Sequence, residues 1–447
     1  MLGAIGAVRR EEWPFVLLMF AYVFLVIATF WILKPLKKGL FIEHYDRMGL
    51  MLVGHHFEAA EVELFAKVLN MGVAIVAVAV FTGLARRLRR ERLTAVLMAF
   101  FVVGDLLFAQ LLRAPGSTTV WGFYLYGDLF STIMVATFFA FLNDSVTPAS
   151  AKRLYGFIGF GAVLGGVVGS SVIGALVKAL PPPMWLMLCA GLGIAIVAVA
   201  LAAGHRTPAR SPATPAQPSG GRAEHNPAIE GAALVVRSPY LLSIVAIVGL
   251  YEIVSTVMDF QFTSVVSHVL DGDAIKEHLS LVFAVTNVVA MLVQLFVTSA
   301  VMQTWGVGVA LLVLPFMTAA GSLAFLAWPA LLTGSLLSTA DNAFSYSINQ
   351  SAKEALYVPT TDDEKYKAKA FIDMFVQRAA KAIAVGLSLA MGAWFHDFSS
   401  VRWLAVPTLA LIAVWTVAAR YAGREFPGDG EDQRGAEPPA ERTRAAS

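Results

Sequence analysis

Arg378 and Lys381 lie about ten residues into a stretch, 370–394, that is otherwise apolar enough to sit in a bilayer. A charge at that depth costs roughly 2.5–3.5 kcal/mol or more, so it is kept where it has a partner or a ligand. The i, i+3 spacing puts both cations on one side of a helix. Two cations sharing a face repel unless an anion lies between them, and a multiply charged group meets that need. A second basic group, Lys34, Lys37 and Lys38, is spaced i, i+3, i+4 near the outer end of another apolar stretch. Snorkelling to the interface is the other reading for Lys34 and, more so, for Lys38.

Acidic residues accompany these cations. Counted from the ends of their stretches at about 1.5 Å per residue, Asp105, Asp128, Glu252 and Asp341 fall near mid-bilayer with Arg378 and Lys381. Asp259 and Lys34 lie nearer the outer face and Asp373 nearer the basic loops. Two readings stay open. Either the acids, Asp128 or Asp341 for example, hold the cations in structural bridges, or the cations exchange their carboxylates for an anionic cargo during transport. Midplane acids outnumber midplane bases, so an empty cavity need not be electropositive. Asp105, Glu252, Asp341 and Asp373 are candidates for gating or proton coupling. Glu252 and Asp259, seven apart, share a helix face and suit a proton relay or a hydrogen bond from a cargo amine. Tyr124, Tyr126, Tyr251, Phe260 and Tyr346 are candidates for stacking on a ring, with packing as the ordinary alternative.

The elements that position these residues are membrane spans. The chain has 447 residues, of which 57% are hydrophobic and 14% charged; the mean hydropathy is +0.69. These values depart far enough from a soluble average to indicate a polytopic membrane protein. Apolar stretches of spanning length occur at 14–33, 64–84, 93–112, 119–142, 154–180 and 184–203, then at 240–265, 279–302, 306–327, 329–350, 370–394 and 401–419. The expectation is an all-α membrane protein of twelve helices: a six-helix bundle over 1–203, a flexible linker over 204–238, a second bundle over 239–423 and a disordered tail over 424–447. The linker is rich in Pro, Ala, Ser and Arg, and the tail is polar. Basic residues gather at Arg86–Arg92, at Lys152 and Arg153, in the linker, and at Lys365, Lys367 and Lys369. All of these loops fall on one side, and the positive-inside tendency places them and both termini in the cytoplasm of a bacterial inner membrane. Two sets of six spans around a midplane site is the layout of the major facilitator superfamily.

Other motifs point away from alternative chemistries. Gly161, Gly165 and Gly169 form an i, i+4, i+8 stripe suited to close helix packing, and the Gly-x-Gly at Gly159–Gly161 lacks the strand that a nucleotide loop needs. His55, His56, Glu58 and Glu61 are the nearest thing to a metal cluster, yet no second pair of ligands accompanies them. No His-Glu-x-x-His, Gly-x-Ser-x-Gly or paired-cysteine signature is present, and Cys189 is the single cysteine. The chain is therefore read as a non-enzyme without cofactor or metal. A net charge of +2 gives no reason to expect a nucleic-acid partner.

The string Leu33-Lys34-Pro35-Leu36-Lys37-Lys38-Gly39-Leu40, then Asp128-Leu129-Phe130, Ala151-Lys152-Arg153-Leu154-Tyr155 and Ser351-Ala352-Lys353-Glu354-Ala355-Leu356, resembles the ATP/ADP translocases of plastids and intracellular bacteria. So does the closing run: Tyr357-Val358-Pro359, Asp362-Asp363-Glu364, Lys367-Ala368-Lys369, Ile372-Asp373 and Arg378-x-x-Lys381. The resemblance implies a major facilitator-like antiporter that exchanges nucleotides or related phosphorylated metabolites. It implies cargo binding by Lys37, Arg378 and Lys381, and it places Asp128 and Asp259 where that family has glutamates, as gating partners or base contacts; Lys34, in the same basic group as Lys37, is a further candidate for cargo binding. A proton-coupled carrier of another organic anion or amphiphile is the alternative, and a non-transporting scaffold a weaker one. The partners expected are a phosphorylated small molecule and membrane lipid, with the chain acting as a monomer.

Overall fold

The computed structural model describes residues 9–46, 49–52, 54–146, 148–206, 227–360, 368–394 and 398–426. In the first half the spans are α1 (Trp13–Asp46), α2 (Ala59–Ala85), α3 (Arg90–Leu111), α4 (Ser117–Ser145), α5 (Pro148–Leu176) and α6 (Pro182–Arg206). A short helix, α7 (Pro227–Arg237), precedes α8 (Pro239–Val269), α9 (Asp273–Thr304), α10 (Gly306–Ala327), α11 (residues 331–355), α12 (residues 369–394) and α13 (Ala405–Glu425). Ten helices among the described residues are long and apolar enough to cross a membrane. The other two spans, α11 and α12, are interrupted by wider π-helical turns at Ser345–Asn349 and Ile372–Val376. They also carry Asp341, Arg378 and Lys381, and such turns recur beside functional residues.

Local chemistry sets the boundaries. The Ser238 hydroxyl accepts the Leu241 amide at 3.3 Å, and Pro239 follows where a helix tolerates a missing amide. Glu61 reaches back to the Glu58 amide at 3.0 Å and closes the first turn of α2. Pro35 sits inside α1 and deletes the amide that would bond the Trp31 carbonyl. Residues 227–237 are helical and not loose linker, and α6 runs on to Arg206; the rest of the expected linker and the tail beyond 426 lie outside the described residues. His55 and His56 stand exposed on a two-stranded hairpin, Leu50–Leu52 with His55–Phe57.

Each half buries its own core. Tyr22, Phe101, Phe130, Phe141 and Trp185 fill the first, and Leu241, Leu311, Phe325 and Trp415 the second. A third cluster crosses the seam, with Trp31, Phe41 and Tyr124 from the first half against Phe262, Leu279 and Phe283 from the second. Outward-facing Val76, Val103, Ile194, Phe316 and Val417 are exposed, which suits hydrocarbon and not water. The glycine stripe of α5 lies against α1: a Cβ at Gly161, Gly165 or Gly169 would come within 2.8, 2.4 and 2.4 Å of the carbonyl oxygens of Phe20, Phe24 and Ala28. Helix backbones approach this closely in lipid where small residues permit it.

Candidate functional site

Where the two halves face each other, they enclose an open cavity of about 530 Å³, within the range of small-molecule sites. Helices α1, α2 and α4 line one wall and α8, α9, α11 and α12 the other. Six cations reach it: Lys34, Lys37, Lys38, Lys67, Arg378 and Lys381. Five carboxylates join them: Glu63, Asp128, Glu252, Asp259 and Asp341. The expectation that acids would outnumber bases fails, because Lys34, Lys37 and Lys38 turn inward and Lys67 joins them.

The cations are not held alike. Lys37 forms an ion pair with Asp128, its stem lying across Gly127, where a Cβ would meet the lysine Cδ at 2.7 Å. Tyr124 presents its ring 4.3 Å from the same ammonium. Lys38 is buried and bonds Asp259 at 2.7 Å, with Glu63 at 3.4 Å, so it is a bridge and not a snorkelling anchor. Lys67 reaches Asp259 at 2.5 Å and Glu63 at 3.7 Å. Glu63 also accepts hydroxyl bonds from Tyr124 at 3.0 Å and Thr263 at 3.1 Å. Asp259 therefore ties α8 of the second half to α1 and α2 of the first. This satisfies the condition under which a buried ion network is tolerated, with further hydrogen bonds filling the remaining lone pairs.

Toward the basic loops the pattern changes. Lys381 bonds Glu252 at 2.9 Å, and about half of the lysine side chain is exposed to the cavity. Lys34 has no carboxylate within ion-pair distance among the described residues. Its ammonium lies 4.5 Å from the Trp31 ring and 4.8 Å from that of Phe283, and it donates to the Tyr346 hydroxyl at 3.4 Å. Among the described residues, Arg378 has only the Met71 carbonyl of α2, at 3.4 Å. Neither Asp128 nor Asp341, the partners suggested by depth alone, reaches it. Asp341 instead accepts a bond from Ser255 at 2.6 Å.

The remaining candidates lie elsewhere. Asp105 is buried in the first half and accepts the Tyr126 hydroxyl at 2.8 Å; neither lines the cavity, so depth in the span did not predict the face. Tyr251 donates to Ser345 at 2.6 Å and packs on Trp415, while Phe260 belongs to an apolar cluster; only Tyr124 and Tyr346 of the five aromatics line the cavity. Asp373 falls on the π-helical turn of α12, and its side chain is outside the described residues. Glu63 escaped the sequence reading because the second span was started at Leu64, and Lys67, three residues inside that span, was passed over. Their i, i+4 opposite charges at a span's outer end were the available signal.

The inter-half bonds share one location. Lys38 and Lys67 with Asp259, Thr263 with Glu63, Lys276 with Glu43 at 2.8 Å and Lys178 with Glu277 at 2.7 Å all lie away from the basic loops. Lys34 with Tyr346 and Arg378 with Met71 lie near the middle. Among the described residues, these bonds tie the halves together at the end away from the basic loops and near the middle, and none joins them at the basic-loop end.

Comparison with known proteins agrees with both halves of this description. Residues 330–426 match the family model described as TLC ATP/ADP transporter. Over 346 residues the chain is 24% identical to ADP,ATP carrier protein 1 of Chlamydia pneumoniae, covering 68% of this chain and 67% of that one. It is 22% identical over 340 residues to the chloroplastic ADP,ATP carrier protein 2 of Arabidopsis thaliana, covering 68% and 54%. The resemblance read from the motifs is thus borne out. The solved nucleoside transporter NupG superposes with a TM-score of 0.65 at 12% identity, covering 91% of this chain and 99% of that one. The expected all-α membrane fold is likewise borne out: ten of the expected spans are long and apolar enough to cross a membrane among the described residues, and the other two are the interrupted α11 and α12.

Proposed function

We propose that this chain is a secondary antiporter, a carrier and not an enzyme, which exchanges nucleotides of the ATP/ADP kind, or related phosphorylated metabolites, by alternating access. The relatives named ADP,ATP carriers support the substrate class. The observation that carries the reading is Arg378, a cation lining the cavity between the halves with one backbone carbonyl and, among the described residues, no carboxylate partner. A guanidinium grips phosphate through two parallel hydrogen bonds, and it does so most strongly where water is scarce.

The geometry orders the steps. Cargo enters by the mouth at the basic loops, which the positive-inside tendency assigns to the cytoplasm. Its phosphates meet Arg378 and Lys34 first. Lys381 and Lys37 then exchange Glu252 and Asp128 for phosphate oxygens, each lysine trading one anion for another. Closing the mouth over a bound anion leaves the cations compensated. Closing it over nothing leaves Arg378 unpaired in a low dielectric, which costs about 3–5 kcal/mol. The return stroke therefore needs cargo, and that requirement is exchange. Opening the far end breaks the Asp259 bridges to Lys38 and Lys67. One chain carries the complete cavity, which supports a monomer working in bilayer lipid.

Liposomes containing the purified protein and preloaded with ATP, ADP or phosphate test the reading. Labelled nucleotide enters preloaded vesicles and not empty ones, and Arg378→Ala or Lys381→Ala reduces the flux. Uptake driven by a pH gradient alone, with no dependence on internal nucleotide or phosphate, sinks the proposal in favour of a proton-coupled carrier.

A further inference from the structure

Among the cavity's described carboxylates, Asp341 is the exception. Asp128, Glu63, Asp259 and Glu252 each have a lysine within ion-pair distance, whereas Asp341 has none. Its side chain is 2% exposed. Ser255 donates to one carboxyl oxygen, Oδ2, at 2.6 Å and fixes the group, while the other, Oδ1, is buried with no donor among the described residues. A buried acceptor left unmade is expensive and calls for an explanation beyond packing; Asp341 belongs to the cavity lining. Ser255 stands on α8 between Glu252 and Asp259, so Asp341 is held against the helix whose acids serve the cations.

The cavity is therefore unbalanced in two opposite ways: a cation short of an anion at Arg378, and an acceptor short of a donor at Asp341. A nucleotide's phosphate chain, which has lost most of its last proton above about pH 6, brings chiefly acceptors and is matched to Arg378 rather than to the second. We infer that Asp341 is a specificity residue that accepts a hydrogen bond from the uncharged, nucleoside part of the cargo, from a sugar hydroxyl or an exocyclic ring amine. Tyr346, on the next turn of α11 and lining the same cavity, offers a ring face beside that contact. The inference rests on the nucleotide reading above and adds which part of the cargo discriminates nucleotides from simple phosphates. A site built to hydrogen-bond a donor rejects analogues that lack it far more strongly than an apolar pocket rejects a shape.

Asp341→Asn keeps the size of the side chain and the acceptor for Ser255, and Asp341→Ala removes both; each is compared with the unaltered chain by thermal shift and by calorimetry. ATP and inorganic tripolyphosphate are the two probes. The expected result is that Asp341→Ala weakens ATP at least tenfold and leaves tripolyphosphate within twofold, with melting temperatures of the ligand-free proteins unchanged. A 2′,3′-dideoxy nucleotide and an inosine nucleotide then separate the donors: the one that already binds weakly to the unaltered chain, and loses nothing further in the variant, lacks the group that Asp341 holds. Equal loss of ATP and tripolyphosphate, or loss of neither, overturns the inference while leaving the phosphate reading intact. An unaltered chain that binds neither probe overturns both. A variant that binds ATP normally yet no longer responds to pH overturns it as well and makes Asp341 a proton site.

Discussion

The two ends of the cavity hold their charges differently. Away from the basic loops, Lys38, Lys67, Asp259 and Glu63 form one closed network in which each cation has two acids and each acid two cations. Nearer those loops, among the described residues, Lys381 shares one acid, Lys34 is held by aromatic faces and a hydroxyl, and Arg378 by a single carbonyl. A saturated network is a lock, since every partner it needs is already present. On the reading proposed above, the unsaturated end serves as a receptor, because its cations gain more from an arriving anion than they lose.

The comparison breaks most sharply at Asp259. Asp259→Asn leaves Lys38 and Lys67 sharing Glu63, and removal of one partner from a buried network costs about 3–5 kcal/mol. If the network is a lock, a cysteine placed at Ser131 in a Cys189→Ala background becomes reactive to an impermeant thiol reagent from the far side, and restoring balance with Lys67→Gln reverses part of the gain. Unchanged labelling would show that the seam packing alone holds that end. The receptor end breaks at Arg378: Arg378→Ala weakens nucleotide binding by about 2–5 kcal/mol, roughly 30-fold or more, without lowering the melting temperature of the empty protein. Arg378→Lys recovers only part, for a point charge cannot make the paired bonds of a guanidinium. A smaller effect separates scaffold from site. Gly165→Ala forces α5 off α1 and destabilises by about 1–3 kcal/mol, whereas Gly156→Ala, with nothing within 4 Å, stays silent in the same melt. Least of all, Lys381→Ala weakens binding by about 1 kcal/mol, because a half-exposed pair is screened by water.

Much of this arrangement could be read from the residues, and the failures share a cause. Span lengths, the duplication of six and the side of the basic loops follow from one-dimensional hydropathy, which lipid makes unusually informative. The glycine stripe was legible because a helix has one period, and its partner turned out to be the backbone of α1. Depth was legible too, but direction was not. Asp105 and Asp128 lie at comparable depth, yet one faces the first-half core and the other the cavity. Which face is inward depends on neighbouring helices, and the π-helical turns in α11 and α12 shift the register further. Partner choice was equally hidden: Asp259 meets lysines from two helices nearly two hundred and more residues away, a pairing that no local spacing encodes.

The surplus of a single cation in the cavity has an electrical consequence. Each elementary charge carried across a membrane is worth about 2.3 kcal/mol per 100 mV. A nucleoside triphosphate and a diphosphate differ by one charge, so trading one for the other moves net charge and the membrane potential biases the direction of trade. With the protein's own charge set near balance by five carboxylates against six cations, the voltage acts mainly on what the cargoes differ by. An energised membrane would then export the more anionic nucleotide and admit the less anionic one, and dissipating the potential would bring the two fluxes toward equality.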